Sequence, residues 1–223
     1  MDLLIAVKSC QAHRSYHQAI RDTWGRYFPQ VIFFMGDGHG HEVEDEVSLN
    51  CPDDYMSLPT KTKHILSWSL TYRDFAHVYL CDNDTFVQPS RFANLEYQNY
   101  DYSGYMNKLC PVGETAFYKD HIGVWPNCHP WTSGGVGYFL SSRAATAVSE
   151  QTPDVWAEDL WVGQVIGPEI QAGRFTGSHL ENFHEVAAWH MRRTKKYPQY
   201  KPEMMYRSWQ LGNPDLMYAE DRA

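Results

Sequence analysis

The residues from Val78 to Val87 carry an apolar run into Asp82-Asn83-Asp84 and out again through Thr85-Phe86-Val87. If the run is a buried strand, carboxylates two positions apart point the same way and meet at one rim of a sheet. Two anionic groups held together repel unless a cation lies between them. A hard divalent ion such as Mg²⁺ or Mn²⁺ answers this, bound by one or two carboxylates and completed by water and substrate phosphates. Asp and Asn are also favoured turn residues wherever they occur. On spacing alone the metal site and the plain turn stand level.

Three further stretches have chemical residue types in close order. Ala157-Glu158-Asp159-Leu160 puts adjacent carboxylates where a helix opens. They are candidates for acid–base chemistry, and equally the charge that a helix N-terminus favours. Trp131 is followed by Ser133-Gly134-Gly135-Val136-Gly137, and three glycines in four residues let a ligand approach the backbone closely. Ser178-His179-Leu180-Glu181-Asn182-Phe183-His184 holds two imidazoles.

The elements that must position these residues read as α/β. Residues 2–8 and 31–35 are short apolar runs rich in branched and aromatic side chains, the pattern of buried strands. Residues 11–24 between them have helical spacing, so strand, helix and strand form a βαβ unit of a parallel sheet. The acidic run 42–46 reads as a solvated loop or helix start. A helix over 60–75 leads into the Asp82-Asn83-Asp84 strand, which places the carboxylates at the carboxyl edge of an open sheet, where such sheets bind ligands. Residues 94–127 show weaker periodicity. A serine-capped helix over 141–150 and another opening near 157 follow, and the tail from 192 is expected to wrap the surface. No internal repeat or linker appears, so residues 1–223 form a single domain, with parts of about 1–90 and 91–190 and a tail of 191–223.

Composition excludes several classes. A net charge of −8 with no basic run beyond two residues argues against a nucleic-acid partner, whose footprint is basic. No stretch approaches the roughly 18 apolar residues of a membrane span. Five cysteines without C-x-x-C spacing are neither a zinc framework nor a disulfide-dense scaffold. Cys110 and Cys128 could bridge in an oxidising compartment, and free thiols are expected otherwise. The 15% aromatic content, with 8 Trp and 15 Tyr, suits sugar- or base-lined pockets as well as core.

Taken in order, these segments resemble the fringe-like branch of the β1,3-glycosyltransferases, the galactosyl- and N-acetylglucosaminyltransferase family. Residues 2–8 resemble its first strand and Arg21-Asp22-Thr23-Trp24 its Arg-x-Thr-Trp motif. Ser57-Leu58-Pro59-Thr60-Lys61-Thr62 is similar to the segment ahead of its acidic triplet, and the triplet's place is taken by Asp82-Asn83-Asp84. Thr132 to Tyr138 resembles its glycine loop, Glu158-Asp159 its acidic pair, and Ser178 to Asn182 its Ser-His-Leu-Glu-Asn run. Two departures stand out: Asn83 replaces the triplet's middle Asp, and Gly177 replaces the first His of a His-Ser-His run. The family's anchor and stem are absent from these residues.

The resemblance implies a GT-A fold, an open and mostly parallel sheet flanked by helices. It implies inverting transfer of a hexose or N-acetylhexosamine from a UDP-sugar to a hydroxyl of a saccharide or glycoprotein acceptor. Mn²⁺ or Mg²⁺ would be held by Asp82, Asp84 and His179, with His184 the alternative imidazole. Asp159 would be the base. Ala6, Lys8, Arg14, Asp37, Lys61, Asp82 and Asn83 would bind the nucleotide, and Trp131, Gly134 and Gly135 would shape the sugar pocket. The compartment would be the cytoplasm for a full-length chain or the Golgi lumen for a catalytic domain. Competing readings are a non-catalytic nucleotide-sugar binding protein on the same fold and a metal-dependent phosphohydrolase.

Overall fold

The computed structural model describes residues 2–39, 41–107, 115–118, 121–124, 129–180, 183, 188–191, 200–212 and 214. Cys110, Cys128 and His184 lie outside them. The chain opens with β1 (Leu3–Lys8), a short turn over Gln11–His13, α1 (Arg14–Asp22) and β2 (Val31–Met35). It continues through β3 (His41–Val43), β4 (Glu46–Ser48), α2 (Leu58–Tyr72), β5 (His77–Asp82), β6 (Thr85–Val87), α3 (Pro89–Phe92), β7 (Tyr102–Gly104) and β8 (Met106–Asn107). Next come β9 (Thr115–Tyr118), β10 (His121–Val124), β11 (Trp131–Thr132), β12 (Tyr138–Ser141), α4 (Ser142–Ser149) and α5 (Glu158–Gln171). β13 (Gly177–His179), β14 (Ala188–His190) and α6 (Pro202–Leu211) complete the series.

Eight of these strands make one sheet in the order β13-β7-β12-β5-β1-β2-β4-β3. β5, β1, β2 and β4 are parallel neighbours. β12 runs against both β5 and β7, and β3 against β4. The apolar runs read as buried strands are so because both faces of the sheet are covered, which removes any need for polar alternation. Along β1, Leu4 and Ala6 pack with Leu66, Ala144, Trp161 and Val162 of α2, α4 and α5. Ile5 and Val7 pack on the opposite face with Ala19 and Ile20 of α1 and Met204 and Met205 of α6. The same parity governs β5, where Val78 and Leu80 face α5 while Tyr79 and Cys81 face α1.

Five expectations are corrected. The first helix starts at Arg14 after a separate tight turn, and α2 begins and ends before the residues assigned to it. The acidic run 42–46 is a hairpin of β3 and β4, and Glu46 is buried there rather than solvated. Asp82 ends β5 while Asn83 and Asp84 form the turn before β6, so the two aspartates do not share an extended strand. The tail contributes α6, whose Met204 and Met205 are fully buried in the core, because its apolar residues recur at helical spacing.

Candidate active site

The carboxyl ends of β1, β2, β5, β7 and β13 and the start of β12 share one edge of the sheet. Register places Lys8 beside Asp82, and Gly104 beside both Tyr138 and His179. Parity then sorts the side chains. Lys8 and Asp82 continue the Ala6 and Leu80 series and so face α5, whose first residue is Glu158. Lys8 Nζ lies 3.0 Å from Glu158 Oε2 and 3.3 Å from Asp82 Oδ1. Burial alone would lower the Lys8 pKa, but the Asp82 and Glu158 carboxylates outweigh it and hold the ammonium above its ordinary range. Glu158 Oε1 also accepts the Tyr138 hydroxyl, and that of Thr62 at 3.3 Å. Glu158 is thus buried and accepts from three side-chain donors.

Asp159, the adjacent carboxylate, is placed differently. Its Oδ2 accepts the Gly134 N–H at 3.0 Å and its Oδ1 the Leu160 N–H at 2.9 Å. Burial, then the neighbouring Glu158 charge, push its pKa up to about 6, against the opposing pull of the Gly134 N–H, Lys8 and the Leu160 N–H. The helix start alone would lower it; here burial wins. Gly134 allows this approach, since a Cβ there would sit 2.8 Å from Glu158 Oε2 and 3.2 Å from Asp159 Cβ. Gly135 lies in the same turn, its carbonyl accepting the Thr85 hydroxyl at 2.8 Å, which ties the glycine loop to the strand after the Asp82-Asn83-Asp84 turn. Gly137 has a φ of +95° and packs against the Leu80 carbonyl and the Tyr79 ring, so only glycine fits there.

The expected metal ligands do not converge. Among the described residues no three His, Cys, Asp or Glu side chains form a group able to hold a metal ion. His179 Nδ1 accepts the Met106 N–H at 3.0 Å. The neutral ring therefore carries its proton on Nε2 and has no lone pair to offer in this arrangement. What remains is the carboxylate pair Asp82 and Asp84 on one turn, hard oxygen donors that fit Mg²⁺ or Mn²⁺ when substrate phosphate and water supply the other ligands.

The other expected nucleotide-binding residues differ in burial and in their partners. Ala6 is fully buried, its methyl in the α5-side core. Lys61 is 1% exposed, and its ammonium donates to Asp53 at 2.7 Å and to the Ser9 carbonyl at 2.8 Å, which ties α2 to the end of β1. Asp53 also accepts the Gln11 and Gly36 N–H groups, which joins the ends of β1 and β2. Arg14 opens α1 and its Nε donates to Glu46. Asp37 is exposed after β2 in the left-handed region, φ +56°. Trp131 is half-buried and backs onto α5, where a Cβ on Gly163 would fall 2.5 Å from its own Cβ.

The other parity carries Asn83, an expected nucleotide-binding residue, together with Ser9, His17 and Glu46, which were not singled out for the site. Asn83 faces α1 and its Nδ2 donates to Ser9 Oγ at 2.9 Å. Ser9 Oγ lies 2.7 Å from His17 Nε2, and His17 Nδ1 lies 2.8 Å from Glu46 Oε1. Strand parity at Ser9 and Asn83 is the one signal that could have found this side of the edge.

Three comparisons place the chain. A glycosyltransferase involved in the glycosylation of the major capsid of PBCV-1 matches over 95% of this chain and 100% of its own, with a TM-score of 0.50 at 10% identity, and so shares the GT-A fold alone. The mouse acetylgalactosaminyl-O-glycosyl-glycoprotein β-1,3-N-acetylglucosaminyltransferase is 26% identical over 79% of this chain and 53% of its own. The Xenopus laevis β-1,3-N-acetylglucosaminyltransferase lunatic fringe is 23% identical over 83% and 56%. The chain spans about half the length of these curated relatives. Residues 16–170, well over half of the chain, match the model of the galactosyltransferases, and the chain belongs to that family.

Proposed function

We propose that this chain is a metal-dependent inverting glycosyltransferase that moves a hexose or N-acetylhexosamine from a UDP-sugar to a hydroxyl of a saccharide or glycoprotein acceptor. The observation that carries the reading is Asp159. It is a carboxylate raised to about 6, held by two N–H groups at the glycine loop, on the same sheet edge as the Asp82-Asn83-Asp84 turn. A base of that strength is ionised at neutral pH and accepts a proton more readily than an ordinary aspartate.

In this reading Asp159 takes the acceptor hydroxyl's proton onto a carboxylate oxygen, while the Gly134 and Leu160 N–H groups hold its plane toward the sugar. Glu158, neutralised by Lys8, keeps Asp159 from losing basicity to that ammonium. A divalent cation held by Asp84 and Asp82 together with the donor's diphosphate would supply Lewis-acid stabilisation of the leaving group. The glycine loop admits the transferred sugar, and Trp131, just before the loop, shapes its pocket. The Golgi lumen, where glycoprotein acceptors occur, is the compartment that goes with this reading.

The test is a thermal-shift panel of UDP-sugars with and without MnCl₂, followed by a transfer assay with the sugars that shift. A ligand that binds only the native state raises its melting temperature. The reading expects a shift that requires Mn²⁺ and transfer that leaves UDP intact. No shift with any UDP-sugar, or cleavage of free UDP at its diphosphate, overturns it.

A further inference from the structure

The turn that bears Asp82 and Asp84 is held from behind by a buried polar chain that the proposed chemistry does not use. Asn83 Nδ2 donates to Ser9 Oγ at 2.9 Å. A serine hydroxyl that accepts there is free to give its one proton to His17 Nε2, 2.7 Å away. That assigns the ring's own proton to Nδ1, where Glu46 Oε1 accepts it at 2.8 Å. Glu46 is in turn an anion. Burial would raise its pKa, but the bonds from His17, Arg21 and Arg14 outweigh it and hold it down at about 2. Arg21 donates to Glu46 at 2.8 Å and to Asp45, and Arg14 donates to Glu46 at 2.6 Å. The His17 ring is fully buried and stacks on Phe33, centroids 4.3 Å apart. The backbone doubles the link, as the Asn83 N–H donates to the Lys8 carbonyl at 3.1 Å and Lys61 donates to the Ser9 carbonyl.

We infer that Ser9 and His17 are positioning residues for this site: a one-way hydrogen-bond chain from Asn83 through Ser9 and His17 to Glu46 orients the Asp82-Asn83-Asp84 turn for the donor. Every link has one donor and one acceptor, so the chain has a single direction, set by the anion at its end. Cutting it at Ser9 removes the side-chain partner of Asn83 Nδ2 and of His17 Nε2 in a buried site, so Asn83 is left tied to β1 by its N–H bond to the Lys8 carbonyl. Buried polar networks specify geometry in this way only when every member is satisfied. The middle position of the triplet explains the arrangement. An aspartate there, as in the resembling family, cannot donate to Ser9. It would take the serine's proton itself and force His17 to become a donor at Nε2.

The inference rests on the reading of the turn as a UDP-sugar site, and two measurements separate them. Calorimetry with UDP and MnCl₂ on wild type and Ser9→Ala expects the dissociation constant to rise about tenfold in the variant, the scale of one lost buried hydrogen bond. Nitrogen NMR of the histidine rings, with His17→Gln used for assignment, expects the neutral Nδ1–H form of His17 in wild type at pH 7. It expects the doubly protonated ring in Asn83→Asp. Affinity in a folded Ser9→Ala within about twofold of wild type overturns the positioning role. A His17 protonated on Nε2 in wild type, or a ring unchanged by Asn83→Asp, overturns the chain even if Ser9→Ala does not fold. Wild type that binds no UDP overturns the site reading itself, and with it the role given to the chain.

Discussion

At the scale of single residues, Glu158 and Asp159 are neighbours with opposite fates. Glu158 accepts from Lys8, Tyr138 and Thr62 and is 6% exposed, so an acceptor hydroxyl has little access to it. Among the described residues Asp159 accepts from the Gly134 and Leu160 main-chain N–H groups, through side-chain oxygens that keep further lone pairs. Its burial and the Glu158 charge raise it to about 6. A base works only when ionised, so lowering the pH through that value must remove activity and raising it must restore it. We expect kcat/KM for transfer to rise through about pH 6 and level off above it. Asp159→Asn should cut turnover by about 10²- to 10⁴-fold while calorimetry shows UDP binding retained. A variant with full transfer activity would exclude Asp159 as the base.

At the scale of elements, the glycine loop and α5 form one device. The loop between β11 and β12 comes so close to the start of α5 that only hydrogen fits at Gly134. Gly134→Ala should push the acidic pair off its seat. Overpacking of this kind costs about 1–3 kcal/mol, and transfer should fall by more than the loss of folded protein explains; chemical denaturation and a transfer assay on the same sample decide it. Much of this was legible in the sequence. Doubly buried strands announce themselves as apolar runs, which is why β1, β2 and β5 were placed, and glycines before an apolar run mark close approach. Short strands such as β7 and β13 show no usable period, since three residues complete barely one alternation. Glu46 read as solvated because partners such as His17 and Arg21 lie more than twenty positions away, where no local pattern reaches. That the Met106 N–H occupies His179 Nδ1 is likewise a contact between residues 73 positions apart, which no local pattern reveals.

At the scale of the whole molecule, Lys8 and Glu158 are 150 positions apart and join the first strand to the helix that carries Asp159. Lys8 also reaches Asp82, so one ammonium links the proposed base region to the Asp82-Asn83-Asp84 turn across the sheet edge. Such a pair is costly to desolvate, and its net value against an apolar replacement is small. Breaking it from one side is different, because the other charge is left buried. Lys8→Met leaves Glu158 with hydroxyl donors only and Asp82 without its cation, and should destabilise the fold by about 3–5 kcal/mol. Glu158→Gln still accepts from Tyr138 and Thr62 and leaves Lys8 with Asp82, so it should cost less. The double variant removes both charges together. Its loss should fall short of the sum of the single losses by about 1–3 kcal/mol, the coupling expected of groups in contact. Denaturant melts of the four proteins measure this directly. Additivity within about 0.5 kcal/mol would mean that the two ends of the chain are held together by packing alone, with the buried ion pair adding no coupling of its own.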